Sequence, residues 1–351
     1  MNKKKTGSFL KIVLIVLSLF VFCVGGLVVW NYVFKSNTDL QGKNFIYLKI
    51  PKSTDYEGLK KIISESGVIK DMGSFDFYAR QIGLEKKIHY GRFRVNAGMS
   101  NRQIVKMIAQ GMDEKVEISI NYTTRTRKHL SEKLSGKLNI SQQDLNEFYD
   151  NEQVLDRSYG LNKNNLMVIV RPGKYLFSWS SDQKDFFDFM KKEYDKFWTT
   201  DKLKKLKRTK LSREEVMIMA SIIDWESNIS SEQRKIAGVY LNRLNRNMLL
   251  QADPTVIFAL DNFSKRRVSF QDLKIDSPFN TYKYKGLPPG PIGFPSDKSI
   301  NSVLNFEESN YLFFCAKPEL NGYSNFSKTI EEHETYAKAY RSSLNRRGIH
   351  R

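Results

Sequence analysis

Two carboxylates close a nearly continuous apolar run, and a carboxyl group in such a place can serve as a proton donor. Residues 216–223 form the run, and Asp224 and Glu226 follow it. Ser212 and Glu215 have the spacing of a capping box, which predicts a helix that starts there. A helix that is apolar on every side is normally buried. We therefore expect Glu226 to lie at the end of a buried helix.

Burial and the negative end of a helix dipole both raise the pKa of a carboxyl group. A raised pKa would keep Glu226 protonated near neutral pH, which is the state that a general acid needs. Spacing alone favours the alternative that Asp224 and Glu226 are solvated residues at a frayed helix end, and that alternative stays open here. Asp224 is two positions from Glu226, so on a helix it points off the Glu226 face.

Two further polar segments follow along the chain. Gln251 and Asp253 lie in a polar turn after an apolar pair, and Asn280 and Tyr282 lie within a Pro/Gly-rich stretch, residues 277–296. Amides, hydroxyls and aromatic rings are what a sugar site needs, since sugars offer hydroxyls to bond and C–H faces to stack. Each segment alone is weak evidence for a sugar-binding site, because an ordinary turn or a packed aromatic ring would contain the same residues. Ordered long loops of this kind are often functional.

Composition narrows the class of protein. The length of 351 residues suits two or three domains, and a hydrophobic content of 40% is enough to form packed cores. The net charge of +19 suits a polyanionic partner, which could be nucleic acid, anionic lipid or an acidic wall polymer. No zinc-finger spacing or RNP-like motif accompanies the charge, which disfavours nucleic acid. The two cysteines are far apart and the four histidines are scattered, so we expect no disulfide framework, no metal site and no cofactor.

The N-terminus predicts a membrane anchor. Residues 12–30 contain no charged residue, and three lysines at 3–5 precede them. Such a run can span a bilayer, and the lysines favour a cytoplasmic N-terminus. No small-x-small cleavage site follows, so we expect an uncleaved signal anchor at 9–34, between a cytoplasmic tail at 1–8 and a polar linker at 35–43. The bulk of the chain would then lie outside the cell membrane, or in the periplasm.

Periodicity beyond the linker predicts an α+β fold. Residues 44–121 show the order β-α-α-β-α-β and form a small α+β module, and residues 122–348 form a larger mixed α/β domain that contains the buried helix. Within the larger domain, residues 166–170 are predicted as a strand and the basic run 202–210 as a solvated loop.

Six motifs, taken together and in this order, resemble the YceG-like endolytic murein transglycosylases, membrane-anchored enzymes that cut peptidoglycan glycan strands. They are ASIIDWES (220–227), AGVYLNRL (237–244), LQADPTV (250–256), DSPFNTY (276–282), GLPPGPI (286–292) and YLFF (311–314). The resemblance covers residues 44–348. The chain departs from the family pattern at several positions. Asp224 and Ser227 stand where many relatives carry Glu and Thr, Trp225 replaces a charged or polar residue, and a segment that often reads Pro-x-Thr-Tyr is PGKY (172–175) here.

The resemblance implies that Glu226 is the single catalytic acid and that residues 44–121 are a LysM-like module. It also implies a set of residues around Glu226. Those expected to bind the substrate are Ser227, Gln251, Asp253, Asn280 and Tyr282, and Asp224 and Tyr240 are expected to position the site without touching the substrate. The implied reaction cleaves the bond between N-acetylmuramic acid and N-acetylglucosamine and leaves a 1,6-anhydro end, which would terminate glycan elongation. Peptidoglycan, the lipid bilayer and peptidoglycan synthases (penicillin-binding proteins) are the implied partners.

Two other functions remain open at this point. One is a muramidase that uses water, with Asp224 or Asp253 as the base. The other is a non-catalytic peptidoglycan-binding membrane anchor, in which the LysM-like module carries the function and Glu226 is structural. The product of cleavage separates the two enzymes, since hydrolysis leaves a reducing muramic end.

Overall fold

The chain has a mixed α+β fold, as predicted. The computed structural model describes residues 3–121, 124–265 and 268–347, with side chains from Lys11 onward. Helices dominate it, and the described residues form three two-stranded sheets. The chain divides into two compact units, an N-terminal unit of Met1–Glu117, Lys137–Ile140 and Leu176–Asp182 and a C-terminal unit of Ile118–Gly136, Ser141–Tyr175 and Gln183–Arg351. The domain bounds drawn from the sequence stay a prediction.

An apolar helix begins the N-terminal unit. Helix α1 (Lys3–Val29) continues into a π-helical turn at Trp30–Phe34. The 24 residues from Lys11 to Phe34 are long and apolar enough to cross a membrane, and none of them is buried within the structure. Apolar side chains left in contact with solvent along a whole helix are what a membrane anchor presents to lipid. The helix is therefore consistent with the predicted anchor.

The segment after this helix is packed rather than free. The Asn37 amide donates to Asn101 Oδ1 at 2.7 Å, and the Asn101 amide donates to the Tyr32 carbonyl at 2.8 Å. Asn37 Oδ1 also accepts from the Asp71 N–H at 2.8 Å. Both asparagines are buried, and buried amides are stable only when they are hydrogen-bonded. These bonds attach the end of the apolar helix to the body of the N-terminal unit.

The element order in the N-terminal unit agrees with the sequence pattern. The elements are β1 (Phe45–Ile50), α2 (Tyr56–Ser66), α3 (Met72–Gln81), β2 (Gly91–Asn96) and α4 (Asn101–Ala109), followed by β3 (Val116–Ile120), which begins in this unit and ends in the C-terminal unit. β1 and β2 pair antiparallel, with Phe45 opposite Asn96 and Ile50 opposite Gly91. β3 pairs instead with β4 (Gly173–Phe177). Leu48, Phe75, Phe93 and Ile104 are fully buried, or nearly so, between the first sheet and the helices.

Helices make up most of the C-terminal unit. They are α5 (Arg127–Ser135), α6 (Gln142–Asp150), α7 (Glu152–Tyr159), α8 (Gln183–Phe197), α9 (Thr200–Thr209), α10 (Arg213–Glu226), α11 (Ser230–Asn245), α12 (Asp253–Ala259), α13 (Asp297–Leu304) and α14 (Ile330–Arg346). The last two strands, β5 (Phe313–Ala316) and β6 (Ser324–Ser327), pair antiparallel.

Two local predictions in this unit are wrong. The predicted strand at 166–170 is a buried 3-10 turn, Leu166–Ile169, since a short apolar run suits a buried strand and a buried helical turn equally well. The basic run at 202–210 is largely helical, because it falls within α9. The Thr199 side chain caps this helix by accepting from the Lys202 N–H, and lysine and leucine are good helix formers.

The helix that ends at Glu226 is buried, as predicted. Ser212 Oγ accepts from the Glu215 N–H at 3.1 Å, and Glu215 returns a bond to the Ser212 N–H at 2.7 Å, which completes the capping box. Met217, Met219 and Ile223 have no exposed surface. α10 packs against α11, α12 and α13, so it is enclosed on several sides and its sequence is apolar all round.

Candidate active site

Glu226 is the last residue of α10, and it is half-buried. Tyr240 on α11 donates a hydrogen bond of 2.8 Å to Glu226 Oε1. The Tyr240 ring is buried and packs edge-on against Phe314 of β5, with 5.9 Å between the ring centroids. Since the ring cannot rotate away without losing this packing, the hydroxyl fixes one carboxyl oxygen of Glu226 and leaves the other for chemistry.

The environment of Glu226 favours its protonated form. Its pKa is raised from the ordinary 4.5 to about 7: burial raises it most, the hydrogen bond from Tyr240 lowers it, and the charge of Asp253 raises it. The pKa of Tyr240 is itself raised well above 10.0, mainly by burial and then by the Glu226 charge, so this phenol stays a donor. A carboxyl group with a pKa near the working pH is suited to both giving and taking a proton.

Asp253 provides a second carboxylate near Glu226. It is the first residue of α12, it is exposed, and Tyr282 donates to its Oδ1 at 2.5 Å. Burial, Asp253 and Glu226 all raise the pKa of Tyr282, which therefore also remains a donor. The structure thus brings four of the predicted residues into one electrostatically coupled group, Glu226, Tyr240, Asp253 and Tyr282.

A buried arginine, absent from the predicted set, supports this group. The Arg243 guanidinium donates to the carbonyls of Leu312 at 2.6 Å and Leu250 at 2.9 Å, and to Gln251 Oε1 at 3.2 Å. Gln251 has a left-handed backbone with φ of 52°, and such strain persists only when the surroundings hold it. Arg243 therefore fixes the turn before Asp253. The only sequence feature that indicated a role for Arg243 is its position within the motif at 237–244.

Asn280 holds the loop rather than facing the solvent. It is fully buried, and its amide donates to the carbonyls of Leu273 and Ile275 at 2.9 Å each. Its oxygen accepts from the Tyr282 N–H at 3.0 Å. Both donor hydrogens and the acceptor are thereby used inside the fold. Asn280 therefore positions Tyr282 in this structure, and its predicted contact with a substrate stays a prediction.

Asp224 and Ser227 shape the ends of helices beside Glu226. Asp224 accepts from the Ser296 N–H at 2.6 Å and from Ser296 Oγ at 2.8 Å, at the start of α13. Ser227 Oγ accepts from the Ile229 N–H at 3.1 Å, and its carbonyl accepts from the Gln233 amide at 2.8 Å. Asp224 is thus committed to α13, in agreement with the expectation that it points off the Glu226 face.

The Pro/Gly-rich stretch packs against α10 next to the acid. The Ile292 N–H donates to Ser221 Oγ at 3.0 Å, and a Cβ on Gly293 would lie 3.5 Å from Trp225 Nε1. At Gly290 a Cβ would lie 1.9 Å from the Asn164 carbonyl oxygen, so only glycine permits this close approach. A cavity of about 640 Å³ lies beside this stretch, and the Glu226 carboxyl is not part of its wall.

Within the described ranges, no group of three or more His, Cys, Asp or Glu side chains is arranged to hold a metal ion.

Comparison with known proteins identifies the class. The chain belongs to the YceG-like family, whose family model matches residues 48–339. It is 30% identical over 339 residues to the endolytic murein transglycosylase of Bacillus subtilis, covering 92% of each chain. It is 26% identical to the protein of the same name from Streptococcus pneumoniae, covering 94% of this chain and 66% of that protein. A crystal structure of a yceG-like protein from Listeria monocytogenes has a TM-score of 0.53 and 27% identity, and the match covers 84% of this chain and 99% of that one.

Proposed function

We propose that this protein cleaves peptidoglycan glycan strands as an endolytic lytic transglycosylase, with Glu226 as the catalytic acid. The observation that carries the proposal is the raised pKa of Glu226, about 7, on a carboxyl group that Tyr240 holds by a hydrogen bond of 2.8 Å. Family membership supports it, since relatives matched over 92% and 94% of this chain are named endolytic murein transglycosylases.

One carboxyl group can serve both halves of the reaction. Glu226 gives its proton to the glycosidic oxygen, which leaves as the 4-hydroxyl of N-acetylglucosamine while the bond to muramyl C1 breaks. The resulting carboxylate takes the proton from the muramyl C6 hydroxyl, whose oxygen bonds to C1. The product carries a 1,6-anhydro ring, no water is consumed, and Glu226 ends protonated as it began. A pKa near neutrality serves both steps.

A second candidate, hydrolysis, is favoured by one observation. Asp253 is close enough to Glu226 for its charge to raise the pKa of the acid, and it is exposed. Glycosidases that use water pair an acid with a second carboxylate. Asp253 would then activate the water, while Asp224, bound to Ser296 through both oxygens, is not placed for this role.

Product analysis decides between the two. Full-length protein in detergent is incubated with purified sacculi, and the released muropeptides are analysed by mass spectrometry. Anhydro-muramic ends are expected, and Asp253→Asn should still yield them. If the wild-type protein releases reducing muramic ends and Asp253→Asn does not, the enzyme is a hydrolase. No release by the wild-type protein, with binding to sacculi intact, would favour the non-catalytic anchor.

The remaining assignments follow from the same proposal. Residues 44–121 act as a LysM-like module that binds glycan, and residues 122–348 carry the catalysis outside the membrane. Residues 9–34 hold the enzyme in the cell membrane, with residues 1–8 in the cytoplasm, because lysines favour that side. An anchored enzyme of this kind meets strands as synthases (penicillin-binding proteins) extrude them, so cleavage would terminate glycan elongation.

A further inference from the structure

The cavity in the C-terminal unit has the size of a ligand site. Its volume is about 640 Å³, and cavities that hold small ligands measure roughly 300–1,000 Å³. Its wall includes the start of α5, part of α6 and the stretch that carries Pro291 and Gly293. None of the contacts described above for Glu226 uses this space.

Positive charge exceeds negative charge in the wall. The cations are Arg125, Arg127, Lys128 and Lys163, and the carboxylates are Asp150 and Asp261, which leaves a net charge of +2 (4 − 2). In the described part of the chain, Lys128 and Lys163 belong to no ion pair, and both are exposed. A concave surface with uncompensated positive charge attracts an anionic ligand.

Helix stability does not explain the position of two of these cations. Arg127 and Lys128 lie in the first turn of α5, which contains no acidic residue. The positive end of a helix dipole disfavours cations there. Their cost to the helix is offset when an anion binds in front of them.

The wall of the cavity packs against Trp225, the residue directly before Glu226 in the chain. The Arg125 guanidinium lies 4.4 Å from the centre of the Trp225 ring, and Gly293 approaches the edge of the same ring. Phe258, another wall residue, is on α12, whose first residue is Asp253. Two parts of the wall therefore contact the residue directly before Glu226.

We propose that this cavity binds the carboxylate-bearing stem peptide of the muramyl residue whose C1–O bond is cut. The inference rests on the proposed function. In peptidoglycan the stem peptide is attached to the muramyl residue itself, so a bound strand brings a peptide anion close to Glu226. The side chains of Lys128 and Lys163 meet its carboxylates at the cavity mouth.

The uncharged part of the wall fits a peptide better than a bare anion. Gln142, Asn146 and Asn164 line the cavity, and side-chain amides both donate to and accept from peptide groups. The rings of Phe258 and Phe279 lie with centroids 4.8 Å apart and offer an apolar surface to alanyl methyl groups. An inorganic anion would use neither feature.

The test compares two substrates and two double variants of the full-length protein. The substrates are glycan strands with intact stem peptides and the same strands after an amidase has removed the peptides. Lys128→Gln/Lys163→Gln removes two cavity charges. Lys204→Gln/Lys207→Gln removes two exposed charges from α9 of the same unit and serves as the matched control. Thermal unfolding checks that both variants fold.

Binding of free stem tetrapeptide, with free or amidated carboxylates, is measured separately by calorimetry.

The wild-type protein should cleave peptide-bearing strands with the higher kcat/KM. In Lys128→Gln/Lys163→Gln the ratio of kcat/KM between the two substrates should fall by about three- to tenfold, as expected for two partly exposed ion pairs. The control should keep the wild-type ratio, and free tetrapeptide should bind more weakly to the cavity variant only. Raising the salt concentration should lower the wild-type ratio.

An unchanged ratio in the cavity variant, or tetrapeptide affinity equal to that of the wild-type protein, would overturn the inference. Failure of the wild-type protein to cleave either substrate would count against the proposed function instead. The tetrapeptide measurement would still decide whether the cavity binds a stem peptide, because it does not depend on cleavage.

Discussion

At the scale of single residues, the acid is tuned by groups that act in opposite directions. Burial and the Asp253 charge raise the pKa of Glu226, and the hydrogen bond from Tyr240 lowers it, with a balance at about 7. A carboxyl group buried without the phenol would be a poorer acid, because a higher pKa binds the proton more tightly. Tyr240 thus adjusts the acid as well as positioning it.

Glu226→Gln should lower kcat/KM for glycan cleavage by at least about 10³-fold, because Gln keeps the volume and the Tyr240 bond but transfers no proton. Release of muropeptides by full-length variant protein measures this. Asp297→Asn, an exposed carboxylate of the same unit, serves as a control and should stay near wild-type activity. Substantial activity in Glu226→Gln would remove Glu226 from the mechanism.

The same variant should be more stable than the wild type at high pH. The folded-state pKa of about 7 lies above the ordinary 4.5, so the fold favours the protonated carboxyl, and that contribution is complete below pH 4.5 and lost as the pH rises through 7. Gln stays neutral throughout. Urea unfolding at pH 4.5 and at pH 8.5 gives the free energy of unfolding of Glu226→Gln and of the wild type. The variant's free energy of unfolding minus that of the wild type should be about 1–3 kcal/mol larger at pH 8.5 than at about pH 4.5. A pH-independent difference would contradict the raised pKa.

Tyr240→Phe and Asp253→Asn should shift the pH profile in opposite directions. The wild-type kcat/KM should fall as the pH rises through about 7, where Glu226 loses its proton. Tyr240→Phe removes the bond that lowers this pKa, so its falling limb should move to higher pH. Asp253→Asn removes the charge that raises it, so its limb should move to lower pH. Shifts in one direction for both variants would show that the limb does not report Glu226.

At the scale of elements, the site depends on how four helices meet at the end of α10. Tyr240 comes from α11, Asp253 begins α12, and Asp224 fixes the start of α13 through Ser296. At Gly238 on α11, a Cβ would lie 2.4 Å from the Glu307 carbonyl oxygen, so the missing side chain lets this segment approach the helix. Glu226 is therefore positioned by packed helices rather than by one flexible loop.

Asp224→Asn should destabilise the fold more than it impairs chemistry. The side-chain nitrogen of Asn cannot accept a hydrogen bond, and Asn carries no charge, so the two charge-assisted bonds that Ser296 donates to Asp224 are weakened or lost. We expect the free energy of unfolding to fall by about 1–3 kcal/mol, and the pH limb of cleavage to stay in place. Chemical denaturation measures the loss. Asp297→Asn, on the first turn of α13, is the matched control and should change stability by about 1 kcal/mol or less. A shifted pH limb in Asp224→Asn would mean that Asp224 acts on Glu226.

At the scale of the whole molecule, an apolar helix is attached to a folded unit with little free chain after it. The carbonyl of Tyr32, within the last turn, accepts from the buried Asn101 amide. Asn37 and Asp71 extend the same network. A helix anchored in lipid would therefore hold the N-terminal unit at the membrane surface, because the following residues are hydrogen-bonded to that unit.

The orientation of the anchored chain is open to a direct measurement. Lysines at 3–5 before the apolar helix favour a cytoplasmic N-terminus, so both units should lie outside. Protease added to intact spheroplasts should degrade the C-terminal unit while a cytoplasmic marker protein survives. Complete protection of that unit until the membrane is lysed would reverse the orientation.

The sequence by itself determined the features that depend on neighbours along the chain. A capping box needs residues three apart, such as Ser212 and Glu215, and burial of α10 follows from a run with no polar face. The apolar helix at the N-terminus and the mixed α+β fold class were predicted on the same local grounds. Such patterns involve short separations, so propensity and periodicity determine them.

Only the tertiary structure decided which polar groups meet. Nothing local indicates that Tyr240 bonds to Glu226, that Asn280 turns inward to hold Tyr282, or that Arg243 is buried beneath Gln251. These partners come from different helices and loops, and their choice depends on packing and on the need to satisfy every buried polar group. The sequence therefore indicated Glu226 as the candidate acid, whereas the arrangement that sets its pKa depends on how the helices pack together.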